Sequence, residues 1–310
     1  MLAKTERRWQ GFVAILALGV GSTAPGQAAP PTPISACPYT ITAPGNYVVT
    51  KNLTATGTCI TIAPLTNNVT LDLQGDRITG NGTGYGIVCL PNNFSDRCDH
   101  ILIANGTISK FSGGIFLEGN YNTVAQATSE QNTGTDNGNN PGYGTGIFLT
   151  GDFGNAITSS LAIKNAATGI AAFGGGFSSV IIDSRADDNG SNGITSAGVV
   201  SNSEADDNGG YGIAAQVITD STARGNALSG LIGSGNANYV SVTDSNALRN
   251  GGDGIQSSGN VISSTANNNG SRGIVLFCPV SAFGNTAINN PNGNLVTSDN
   301  TCVLLDNKAQ

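Results

Sequence analysis

The sequence predicts an all-β solenoid, a parallel β-helix of about nine to eleven coils. Three observations predict it: a repeat with fixed columns, a period near 20 residues, and a composition hostile to helix. The repeat emerges when the chain is aligned on the glycine of each Gly-Ile or Gly-Leu pair. Gly169, Gly193, Gly212, Gly230, Gly254 and Gly273 fall into register, with Ser160, Ser184, Ser203, Ser221, Ser245 and Ser264 nine residues earlier. Ala162, Ala186, Ala205, Ala223, Ala247 and Ala266 stand seven before the glycine, and Asn165, Asn189, Asn208, Asn226, Asn250 and Asn269 four before it. Ile or Val precedes each serine by three, so the frame is [IV]-x-x-S-x-A-x-x-N-x-x-x-G-[IL] in six copies, spaced 18 to 24 residues apart.

Units of that size stack because none can bury an apolar face alone. Helical units are excluded by the abundance of Gly and Asn and by the lack of an i, i+3, i+4, i+7 apolar stripe. Short β-rich pieces such as "SSVIID", "QVITDS" and "YVSVTDS", broken by Asn and Gly turns, predict strands instead. Stacked rungs lie ~4.8 Å apart. Matching columns then sit above one another: Ile, Val and Ala inside, Asn and Ser hydrogen-bonding up and down the stack, and Gly where a Cβ would obstruct the bend.

The elements follow in chain order. Lys4, Arg7 and Arg8 precede the apolar run "GFVAILALGV" (11–20) and small residues, the pattern of a secretory signal. Cleavage after Ala28 is expected, leaving 29–310 as a single domain, and the run is too short for a comfortable membrane span. The earlier coils are less regular but share the Gly-Ile step in "GYGIVCL", "GGIFLEG" and "GTGIFLTG". Two insertions, "SEQNTGTDNGNNPGYG" (129–144) and "AAFGGGFSSV" (171–180), lengthen individual coils and are places where function tends to live. Six cysteines fit an oxidising compartment, secreted or periplasmic. Sequential pairing, Cys37–Cys59, Cys89–Cys98 and Cys278–Cys302, is the simplest arrangement and places staples at the end coils, where raw strand edges invite aggregation. No cysteine or histidine cluster has zinc spacing.

The stretches "ITAPGNYVVTKNLT" (41–54) and "NNVTLDLQGDRITGNG" (67–82), with the later frame, resemble the bacterial right-handed parallel β-helix proteins. That superfamily includes pectate lyases, polygalacturonases, mannuronan epimerases, phage tailspikes and periplasmic proteins of the copper-accessory type. The resemblance covers about residues 37–305 and rests on the residues that stack. It implies a right-handed solenoid with a polysaccharide-facing groove on one long side. Fold alone does not assign an activity.

Candidate chemistry centres on a repeated word, "SRADDNGSNGI" and then "SEADDNGGYGI". Asp187 and Asp188, then Asp206 and Asp207, stand just before the ladder asparagine, so rungs in register would place four carboxylates in a square about 5 Å on a side. Asp183, Glu204 and Asp220 lie in nearby columns. Such a patch is expected either to bind calcium, which takes several oxygen ligands, or to act as an acid/base pair on a uronic-acid polymer. Arg185 and Arg224 are the local basic candidates. The structural alternative is a solvated turn, whose geometry Asp tolerates. The other four copies carry different residues there, so stacking does not require the pair.

His100, the single histidine, follows Asp99 and is a candidate for proton transfer. A plain loop histidine is the alternative. Tyr143 and Tyr211 are candidate sugar-stacking residues, with Arg185 as a further substrate contact; Tyr121, Phe153 and Phe173 would join them if they share a face. Otherwise the phenylalanines belong inside the stack.

The 310-residue chain has a net charge of −7, which excludes a simple nucleic-acid binder. The functional expectation is a secreted or periplasmic protein that binds an acidic polysaccharide or cell-envelope glycan, with lyase or epimerase action rather than hydrolysis as the processing to test and calcium as the one candidate cofactor. The alternative is a non-enzymatic envelope scaffold or adhesin.

Overall fold

Residues 29–310 are described by a computed structural model, apart from 92–95, 135–141, 176–177 and 236–239. The leader segment therefore lies outside the described residues. Pro31–Gln310 winds into a parallel β-solenoid of about twelve turns, slightly more than the repeat frame suggests. The difference lies in the opening coils. Strands such as Thr32–Ile34, Tyr39–Ile41 and Gly45–Val49 pair in register although they lack the Ser, Ala and Asn columns.

Each regular turn has three faces, which the strands Val180–Ile182, Arg185–Asp187 and Ile194–Ser196 occupy in one coil. On the first face, Val124, Ile157, Ile181, Val200, Ile218, Val242 and Val261 are vertical neighbours. On the second, the alanines from Ala162 to Ala266 align. On the third, Ile147, Ile170, Ile194, Ile213, Leu231, Ile255 and Ile274 align. All these side chains point inward and are buried, forming one continuous apolar column. Each fully buried Ile contributes roughly 1.5–3 kcal/mol relative to exposure.

The corners decide the rest. After the second face, one residue takes a positive φ: Lys164, Asp188, Asp207, Gly225, Arg249 or Asn268. The following asparagine turns inward. Asn132, Asn165, Asn189, Asn208, Asn226, Asn250, Asn269 and Asn290 form an unbroken ladder, each Nδ2 donating to the next Oδ1 at 2.8 to 3.1 Å. Asn208 shows the full pattern. Its Nδ2 also donates to the Ala186 carbonyl at 2.9 Å, and its Oδ1 accepts the Asn189 amide at 3.0 Å. The preceding corner uses serine: Ser184 N donates to Ser203 Oγ at 3.2 Å, and Ser184 Oγ donates to the Ile182 carbonyl at 2.8 Å.

The glycine column follows from the asparagines. A Cβ on Gly193 would lie 2.6 Å from Asn208 Nδ2 and 2.7 Å from the Ala205 Cβ. So the glycine is demanded by close approach to the next rung, and the alanine is small for the same reason. The three disulfides pair sequentially, Cys37–Cys59, Cys89–Cys98 and Cys278–Cys302. The first and last join neighbouring turns near the two ends, while the second closes the loop before strand Ile101–Ser109.

Replacing one ladder asparagine strands buried partners above and below it. Asn208→Ala is expected to cost about 3 kcal/mol in urea unfolding, because the Asn189 amide and side chain, the Ala186 carbonyl and the Asn226 side chain each lose a buried hydrogen bond. Exposed Asn292→Ala on the same solenoid should shift stability far less, and equal effects would contradict the ladder's role.

Candidate functional site

The repeated Asp-Asp word resolves into two different environments. Asp187 and Asp206 end the second-face strands Arg185–Asp187 and Glu204–Asp206, and they are vertical neighbours as expected. Their side chains point outward but lie under two arginines. Arg185 Nε sits 2.6 Å from Asp187 Oδ2 and 3.7 Å from Glu204 Oε2, and its Nη2 is 3.7 Å from Asp206 Oδ2. Arg224 Nη2 donates to Asp206 Oδ2 at 2.5 Å. Burial pushes the Asp187 carboxyl above its ordinary value, against the pull of Arg185. Asp188 and Asp207 are exposed and occupy the positive-φ corner, at φ 52° and 54°. The expected square of four carboxylates is thus two covered acids and two turn residues, with guanidinium groups where a cation was expected. No group of three or more His, Cys, Asp or Glu among the described residues is placed to hold a metal.

His100 is exposed at the corner between the third and first faces, with φ 59°, and its ring stacks on Tyr121 at 5.1 Å. The Asp99 carboxylate accepts the Asn120 amide at 2.7 Å. His100 lies three turns from Asp187, at another corner, so the two do not converge on one site.

The outward surface of the third face is where aromatic residues gather. In "GGIFLE" the period of two sends Ile115 and Leu117 inward and Phe116 and Glu118 outward. Val88, Phe116, Phe148, Ala171 and Thr195 form the middle outward column. Glu118, Thr150 and Phe173 form the column beside it. Backbone bonds from Gly146 to Thr168, Gly169 to Asn192 and Gly193 to Tyr211 align Thr145, Thr168, Asn192 and Tyr211 along the entrance edge.

Five rings run in sequence across this surface. Tyr143 and Tyr85 are 4.9 Å apart, Tyr85 and Phe116 6.0 Å, Phe116 and Phe148 5.2 Å, and Phe148 and Phe173 5.6 Å. Tyr143 covers the deeper end, where Gly142 takes φ 76° and leaves no room for a Cβ, which would meet Phe116 at 2.7 Å. The other end is an open cleft. Phe148, Phe173 and Ala171 form its apolar part, and Thr145, Thr168, Asn192 and Thr195 its polar rim. The Thr195 hydroxyl oxygen is buried and has no hydrogen-bond partner among the described residues.

Charged groups stand at the two ends of this surface. At one end Arg97 pairs with Asp152, and the nearby Glu118 carboxyl is raised by burial, against the attraction of Arg97. At the other end Arg272 grips buried Asp253 with Nε at 3.0 Å and Nη2 at 2.7 Å, while Gln256 donates at 2.8 Å. Burial raises Asp253, but the bonds from Arg272, Ser271 and Gln256 outweigh it and hold the carboxyl at about 2.

Tyr143 and Tyr211 therefore share the third face with Phe173, whereas Arg185 belongs to the second. Tyr121 and Phe153 are exposed at the following corner. Phe116, Phe148 and Phe173 face outward rather than filling the stack, a correction that the Gly-Ile-Phe-Leu alternation already contained. Glu118 was readable from the same alternation. Asp136 and Phe177 of the insertions lie outside the described residues.

The architecture and the aromatic groove together define a parallel β-solenoid with one differentiated lateral face. Among solved structures it is similar to the A-module of the Azotobacter vinelandii mannuronan C-5 epimerase AlgE6, with a TM-score of 0.56 and 14% identity over 87% of this chain and 90% of that one. The AlgE4 A-module from the same organism gives a TM-score of 0.51 and 14% identity, over 87% and 86% of the two chains. The fold is thus shared with these modules. No protein-family model matches the chain, and no curated protein does.

The Asp253 cluster yields a pH prediction. A folded-state value of about 2, below the ordinary 3.8, stabilises the fold above the ordinary value, and this contribution is lost as pH falls toward 2. Urea midpoints measured from pH 5 to pH 2 (roughly the span set by the two values) should fall less steeply in Asp253→Asn than in the parent. Parallel curves would contradict the assignment.

Proposed function

We propose that this protein is an extracytoplasmic β-solenoid that binds a polysaccharide along the outward surface of its third face. The observation that carries the reading is the run of five rings ending in the open Phe148–Phe173 shelf beside Thr145, Thr168, Asn192 and Thr195. Sugar rings combine an apolar face with hydroxyls at their rims. An aromatic shelf bordered by neutral hydrogen-bonding groups complements both. The shared fold supports the reading, since the similar solved structures are modules of mannuronan C-5 epimerases. Location outside the cytoplasm is supported by the three disulfides. No helix among the described residues is long and apolar enough to cross a membrane.

Processing of the bound chain would fall to Glu118, the outward carboxyl beside the shelf with a raised pKa, and to the Arg97–Asp152 pair next to it. The Asp187–Asp206 patch is less suited to act on a sugar, because Arg185 and Arg224 already cover it.

Retardation in native gels containing soluble polysaccharides, followed by calorimetry on any polymer that binds, tests the reading. Phe173→Ala should weaken binding about tenfold, the loss expected of one stacking ring. Phe283→Ala, an exposed phenylalanine on the first face, should leave binding unchanged. Retention that is indifferent to Phe173 would remove the third face from consideration.

A further inference from the structure

We infer that the polysaccharide taken by this groove is an uncharged one, a neutral hexose or pentose polymer rather than a uronate. The inference rests on the third-face reading and deepens it by naming the substrate class. From Phe116 to Ile232, the middle outward column reads Phe116, Phe148, Ala171, Thr195, Ala214 and Ile232, without a charge among these described residues. The entrance edge beside it, Thr145, Thr168, Asn192 and Tyr211, is equally neutral. An acidic polymer presents a carboxylate at each sugar and needs cations at matching intervals along its track. This track supplies hydroxyls, an amide and rings instead.

The charges at the ends strengthen the case. Arg97 faces two carboxylates, Asp152 and Glu118, so that end has an excess of negative charge. Asp253 and Arg272 close on one another at the far end and leave no free cation there among the described residues. Segments 135–141, 176–177 and 236–239 contain no Lys or Arg in their sequence, and Asp136 is their one charged residue. The basic side chains of this part of the solenoid, Lys164, Arg185, Arg224 and Arg249, belong to the second face and its closing corner. Arg185 and Arg224 are occupied there by acids. With a net charge of −7 behind it, the groove repels a polyanion along its length.

The test compares neutral polymers (soluble glucans, galactomannan, xylan) with alginate and polygalacturonate, by native-gel retardation and calorimetry at fixed salt, with and without calcium. The expected result is retention by at least one neutral polymer, about tenfold weaker in Phe173→Ala, with the acidic polymers bound at least about tenfold more weakly than the neutral one. Thr150→Arg, which sets a cation between Glu118 and Phe173, should raise affinity for the acidic polymers. Preferential binding of alginate or polygalacturonate that is lost in Phe173→Ala would overturn the neutral assignment and leave the groove standing. Acidic binding that ignores Phe173→Ala and is lost in Arg185→Ala would overturn the groove itself, and retention by no polymer would overturn both.

Discussion

The buried amides at the corner after the second face are the constraint on which this solenoid depends. Every turn brings backbone donors and acceptors into an apolar interior, and a sharp bend removes them from the strand ladder. The asparagine column answers that cost. Each side chain donates to a carbonyl of the previous turn and to the amide oxygen of the next, so every rung is completed by its neighbours. The consequences spread outward from that column. Gly193 and its equivalents must lack a Cβ because the next asparagine occupies the space, and Ala205 and its equivalents must be small. Interior volume is recovered on the other two faces, where Ile, Val and Leu stack.

Once the interior is settled in this way, chemical individuality is confined to the outward positions. The three faces use them differently. The second face concentrates charge, but in compensated sets: Asp187 and Asp206 under Arg185 and Arg224. Burying such acids without a guanidinium would be costly, so the arginines are as much a condition of the fold as an ornament of its surface. The third face does the opposite. Its outward residues are rings, small apolar groups and neutral polar groups, with charge held to the two ends. A surface of that kind binds through stacking and hydrogen bonds rather than through ionic attraction.

Much of the architecture was legible because a solenoid writes its vertical contacts as sequence periodicity. The alignment on Gly169 to Gly273 identifies the true rung neighbours, and sequential disulfide pairing matches the structure. The number of turns was less legible, since the opening coils stack without the Ser, Ala and Asn columns. The site was read only in part. Tyr143, Tyr211 and Phe173 were singled out for their rings, and they do share a face. The Asp-Asp word drew attention because it repeats, yet Asp188 and Asp207 stand at the corner position that elsewhere admits Lys, Arg, Asn or Gly. Phe116, Phe148 and Glu118 emerge only when the inward–outward alternation of each third-face strand is followed residue by residue, because a phenylalanine next to Ile and Leu otherwise reads as core.

The sequence by itself determined the β-solenoid, its rung register and its inward columns, because contacts between successive turns recur at a fixed spacing along the chain. Only the tertiary structure decided which outward side chains meet. Tyr85, Phe116, Tyr143, Phe148 and Phe173 come from four turns, and Arg97 reaches Asp152 across 55 residues. Such neighbours obey no period: their meeting depends on where each turn places its corner.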